Sequence, residues 1–196
     1  MSVDRQRIRR RGGRPNRLAA RGSLQRRRCG PAAFRHSLPA DLRDSIKAST
    51  GRRERVLGWA RTDDGVLVGL TDRFLRQDAD GNWRTTHWHD VDSGRWDDQT
   101  RTLTVVTAGG SETVQLTEPN RFPDLFNERV NASIIANRRV DLGAGRHVVL
   151  ALRRDLGGGD TAWRVLAGPG VDTSAPDVRD RVEAELAAAA AEYAID

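Results

Sequence analysis

The chain has 196 residues, enough for one main domain, with 37% hydrophobic residues, 31% charged residues and a formal net charge of +6. No apolar run reaches the roughly 18 to 20 residues of a membrane span, and no apolar stretch follows the basic N-terminus as it does in a secretory signal, so a cytoplasmic location is expected. The single cysteine, Cys29, excludes an internal disulfide and a cysteine-based zinc cluster.

The charge is unevenly placed. Residues 1–36 hold 12 arginines and one acid, Asp4. The remaining residues hold 21 basic and 26 acidic side chains, so the body is mildly acidic. Lys47 is the only lysine among the 33 basic residues, a bias that high-GC coding produces without selection for charge.

In chain order, residues 1–36 come first. They are sparse in apolar residues, carry like charges that repel, and show no sustained period, which predicts a disordered extension. Two readings of it stand. One is an arm for nucleic acid or another acidic partner, through Arg9, Arg10, Arg11, Arg26, Arg27 and Arg28. The other is an over-extended gene start, in which upstream high-GC codons translate into Arg, Gly and Pro.

Residues 37–51 predict a short helix and a lead-in. Ser37 is the expected cap, Pro39 lies in the first turn, Leu38, Leu42 and Ile46 repeat every four residues, and Gly51 ends the helix. The period then changes to two. Arg55–Arg61 and Val66–Thr71 read as strands joined by Asp63-Asp64-Gly65, a turn whose glycine would supply a positive φ. Phe74–Arg76, Trp83–Trp88, Leu103–Val106 and Thr113–Leu116 continue the series, and such spacing predicts an antiparallel sheet system. Phe122, Leu125, Phe126, Val130 and Ile134 then form one helical stripe, with Arg138-Arg139 expected at its C-terminal end. Val140–Leu142, His147–Leu152 and Trp163–Leu166 read as further strands. The last helix is expected to open on a capping box, Ser174-Ala175-Pro176-Asp177.

Several short strands closed by one amphipathic helix resemble the PH-like split barrel of bacterial proteins. The residues that carry the resemblance are Glu54–Trp59, Thr71–Leu75, His87–Val91, Leu103–Val105 and the helix Leu125–Ile135. The span 37–196, with Leu38-Pro39-Ala40 ahead of Arg55-Val56-Leu57-Gly58-Trp59, is also similar to a conserved hypothetical protein family of high-GC bacteria. The resemblance implies an α+β fold: a PH-like antiparallel split barrel over 52–137, followed by strands and a C-terminal helix over 138–196. It implies no activity, since such folds host unrelated functions. Lipid-binding PH domains hold phosphates with basic residues at the first hairpin. Here that turn carries Asp63 and Asp64, which disfavours a phosphoinositide.

Candidate chemistry is thin. His87-Trp88-His89-Asp90 is the sharpest cluster. On a strand, His87 and His89 share a face and are able to reach one metal, Asp90 points away unless the chain bends, and the third ligand would come from Asp92, His36 or His147. Gly157-Gly158-Gly159-Asp160 lacks the Lys-Ser/Thr of a phosphate loop and reads as a hairpin loop. Glu112, Glu118, Asp124 and Glu128 fall on different elements, and Ser93, Ser111 and Ser133 lack the context of a nucleophile. No catalytic, cofactor or metal residue is therefore assigned. Trp59, Trp88 and Trp163 are expected in the core. The expected function is a non-enzymatic protein-interaction or scaffold module with an unidentified protein partner. Nucleic-acid association through the tail and a metal-dependent enzyme built on His87 and His89 are the alternatives.

Overall fold

The structure, a computed structural model, describes residues 37–193. The predicted disordered extension and its six arginines lie outside these residues. Three helices and ten strands follow one another: α1 (Ala40–Thr50), β1 (Gly58–Thr62), β2 (Val66–Gly69), β3 (Arg73–Gln77), β4 (Trp83–His87), a 3₁₀ turn (Trp88–Asp90), β5 (Val91–Asp97), β6 (Thr102–Thr107), β7 (Gly110–Glu118), α2 (Phe122–Ser133), β8 (Ile134–Gly143), β9 (Arg146–Arg154), β10 (Thr161–Ala167) and α3 (Pro176–Glu192). The fold is mixed α+β. Among the described residues, no helix is long and apolar enough to cross a membrane.

The first seven strands form one antiparallel sheet in the order β4-β3-β2-β1-β7-β6-β5, and β8, β9 and β10 form a second, three-stranded sheet. The expected barrel does not close. The order ends at β4 and β5, which are joined by the 3₁₀ turn rather than paired. The β1–β7 joint pairs only at Arg61 and Thr62, across a bulge. Trp88, fully buried, sits at the turn between the two end strands, and its indole N–H donates to the Leu70 carbonyl at 3.1 Å.

Apolar alternation explains the layers. Ala60, Leu67, Phe74, Trp88, Leu103, Val114 and Leu116 cluster with Phe122, Phe126 and Val130 of α2. On the other face, Trp59, Val66, Val68, Leu70 and Leu75 pack with Leu38 and with Ile46 of α1. Strand β2 is buried at every residue because both faces are covered, which is why Val66-Leu67-Val68 reads as an unbroken apolar run. In the second sheet, Val140, Val148 and Leu150 meet Val178 and Val182 of α3, with Trp163 half-buried at the margin.

Several local expectations are corrected. Helix α2 ends at Ser133, and Ile134, Ile135, Arg138 and Arg139 lie in β8. Residues 134–137, expected to continue the helix, therefore open β8 instead. Ile134 continues the helical spacing of the stripe, but the β-branched pair Ile134-Ile135 also suits a strand, and pairing with β9 decides between them. Neither predicted serine caps its helix. Pro39 and Ala175 occupy the cap positions, and Ser174 bonds Asp172 through both its backbone N–H and its hydroxyl. The β1–β2 turn contains no positive φ. Gly65 is required for a different reason: a Cβ there would lie 2.0 Å from the Gln77 carbonyl oxygen. Gly94 of β5 is constrained in the same way, since a Cβ would lie 2.2 Å from the Phe126 ring. Gly51 ends α1 as expected, in the left-handed conformation.

A candidate metal centre where the sheets meet

The 3₁₀ turn that breaks the strand after His87 sets the geometry. His87 and His89 are not on one face of one strand, yet their rings lie 5.3 Å apart, tilted by 36°. The third member of the cluster is Asp155, one residue past the end of β9. One ligand atom from each of His87, His89 and Asp155 falls within 4.8 Å of the other two, and all three residues are half-buried. Of the third ligands suggested by the sequence, neither Asp92 nor His147 belongs to the cluster. Asp92 is held by Arg164 at 2.9 Å. His147 sits at the opposite end of β9, against Gly168. His36 lies outside the described residues.

Asp155 is positioned from both sides. Its Oδ1 accepts the Gly157 backbone N–H at 2.8 Å, and its neighbour Leu156 packs against the core of the seven-stranded sheet. The same Oδ1 is 3.7 Å from His89 Nδ1, which is too long for a hydrogen bond. The other face of the His89 ring looks the opposite way: Nε2 is 3.9 Å from Asp90 Oδ1. The bend thus brings Asp90 to the imidazole edge that a straight strand would have turned from it. The Nδ1 atoms of both histidines are buried without a hydrogen-bond partner.

An arginine brace surrounds the cluster. Arg153 of β9 is buried. It donates to the Val130 carbonyl at 3.2 Å, Ser133 Oγ at 2.9 Å, the Val91 carbonyl at 2.9 Å and the Asp92 carbonyl at 3.3 Å. It caps the end of α2 and ties β9 to β5 at once. Burial draws its pKa below the usual guanidinium value, while the Asp92 charge opposes that shift. Arg164 of β10 reaches Asp90 at 3.3 Å as well as Asp92. Arg164 thus pairs with both Asp90 and Asp92, whereas among the described residues Asp155 has no arginine partner.

A second charged cluster lies at the first hairpin. Asp64, Arg76, Asp78, Arg84 and Glu112 line a cavity of about 130 Å³. Its charges are largely engaged with one another: Arg76 bridges Asp64 and Glu112, and Thr62 donates its hydroxyl to Asp64 at 2.8 Å. That donation, with the Arg76 contact, holds the Asp64 carboxyl below its usual range, against a smaller opposing effect of burial. Glu112 thus has a carboxylate neighbour in Asp64, and Arg76 bridges the two. The triple glycine lies in the β9–β10 hairpin loop, as its sequence predicts.

The His-x-His spacing was visible in the sequence, whereas Asp155 carried no signal there. An aspartate after a strand and before a glycine run reads as an ordinary turn residue. No family model, curated protein or solved structure matches this chain.

Proposed function

We propose that the chain is a non-enzymatic protein-interaction or scaffold module on a PH-like framework, opened at its β4 and β5 ends. The observation that supports this reading is the strand order β4-β3-β2-β1-β7-β6-β5 with α2 following β7 and covering one apolar face. The order leaves β5 with an outer edge. Arg153 occupies the carbonyls of Val91 and Asp92 at the start of that strand, while Ser93, Gly94 and Arg95 are exposed. An exposed edge strand is a template for an added strand, in which backbone hydrogen bonds give affinity and alternate side chains give specificity.

The test is affinity capture of the full chain from its native host, followed by amide exchange on the chain with and without the recovered protein. Slower exchange along Ser93–Asp97 is the expected result. Protection confined to other surfaces rejects the β5 edge, and metal-dependent turnover of a substrate rejects the non-enzymatic reading.

A further inference from the structure

We infer that His87, His89 and Asp155 form a binding site for one divalent transition-metal ion of the zinc class, which clips the seven-stranded sheet to the three-stranded sheet. This inference does not depend on the interaction reading above.

Three observations meet at one point. The first is the donor set. Two imidazole nitrogens and one carboxylate oxygen suit zinc and its borderline neighbours, whereas calcium and magnesium prefer oxygen alone. The second is spacing. Two ligands at about 2.0 to 2.1 Å from a tetrahedral ion stand roughly 3.4 Å apart. His89 Nδ1 and Asp155 Oδ1 stand 3.7 Å apart, and no pair in the cluster exceeds 4.8 Å. Closing the set shortens the first separation by roughly 0.3 Å and any other by at most roughly 1.4 Å, within the reach of rotamer adjustment.

The third observation is the surroundings of His89. In the tautomer that carries its proton on Nε2, the nitrogen 3.9 Å from Asp90 Oδ1, His89 keeps a lone pair on Nδ1, 3.7 Å from Asp155 Oδ1. Two acceptors facing each other at that distance repel, and a cation between them converts the repulsion into coordination. Once the 3.9 Å gap to Nε2 is closed, Asp90, steadied by Arg164, becomes the outer carboxylate that fixes the tautomer and orientation of a metal-bound histidine. The buried, unpartnered Nδ1 of His87 supplies the next ligand. Asp155, which has no arginine partner among the described residues, is left with its charge available to a positive ion at this place. Three protein ligands leave a fourth position for water.

The consequence is mechanical. His87 ends β4 and His89 lies in the 3₁₀ turn, both belonging to the first sheet, whereas Asp155 belongs to the β9–β10 connection of the second. An ion held by all three stabilises only the arrangement in which the two sheets are docked, so its binding raises the unfolding temperature.

The experiment uses the purified full chain without a histidine tag, titrated with cobalt(II) as a spectroscopic stand-in for zinc, then with zinc in a thermal-unfolding series and magnesium as the control. One equivalent of cobalt with the intense visible bands of a tetrahedral ion is expected, together with a zinc-dependent rise in Tm that magnesium does not produce. Asp90→Asn should weaken cobalt binding about 10- to 100-fold, and His89→Gln or Asp155→Asn by more. Asp155→Asn sits in a loop and retains an oxygen for the Gly157 amide, so it keeps the test valid should a histidine variant fail to fold. Wild-type affinity in His89→Gln and Asp155→Asn overturns the inference. So does cobalt binding abolished by Cys29→Ser, His36→Gln or His147→Gln instead, or the absence of one-equivalent binding in the wild-type chain.

Discussion

The two sheets are held by different kinds of contact. The seven-stranded sheet is sandwiched between apolar clusters, with α2 on one face and α1 on the other, and its strand β2 is buried throughout. The three-stranded sheet has one apolar face under α3. Its joint to the first sheet runs through Arg153, Arg164, Asp90 and Asp92. Apolar contact is nondirectional and tolerates small slides. A hydrogen-bonded guanidinium fixes both distance and angle. The polar joint is therefore where side chains distant in sequence are held in defined geometry, and the imidazole–carboxylate cluster lies there.

Breaking the apolar side of this comparison should have the largest effect. Trp88→Ala empties the centre of the first core, where the indole touches Phe74 and Phe126, and strands the Leu70 carbonyl. A loss of about 3 to 5 kcal/mol in urea unfolding is expected. Breaking the polar joint comes next. Arg153→Leu keeps bulk but removes the donors to the Val91 and Val130 carbonyls, and a loss of about 2 to 3 kcal/mol is expected. Amide exchange sharpens the contrast, because this variant should speed exchange in β8 and β9 more than in β2 and β3, whereas Trp88→Ala should do the reverse.

The smallest effect belongs to the first hairpin, where the charges are mutually engaged. The Asp64 carboxyl is held below its usual range chiefly by the Thr62 hydroxyl. A depressed carboxylate contributes stability above the ordinary carboxylate range, and that contribution is lost as pH falls through the folded-state midpoint. Thr62→Val should raise the Asp64 midpoint measured by NMR titration. It should narrow the acid window over which stability is lost, with little change at neutral pH, since the Asp64 side chain is 37% exposed.

How much was legible depended on the range of the deciding interaction. The Phe122–Val130 stripe gave a helix that packs on a sheet, because spacing on one helix face is a local property. Its end was not legible: Ile134 fits both the stripe and a strand, and the partner that chooses between them, Arg153 opposite in β9, is far along the chain. The Ser174 capping pattern failed because Asp172, two residues earlier, takes the Ser174 hydroxyl. The Asp63-Asp64-Gly65 turn was correctly placed, but its glycine is required by Gln77 of a later strand rather than by its own φ.

By itself, the amino-acid sequence determined the α+β class, the run of antiparallel strands, the helix that covers them and the two histidines as the sharpest cluster. Each of these rests on periodicity or spacing within a few residues. Only the tertiary structure decided that the seven strands stay open, that α2 yields to β8 at Ile134 and that Asp155 completes the set with His87 and His89. Those outcomes depend on which distant residues are brought together when the layers pack, and that information lies in the summed contacts of the whole chain rather than in any one segment of it.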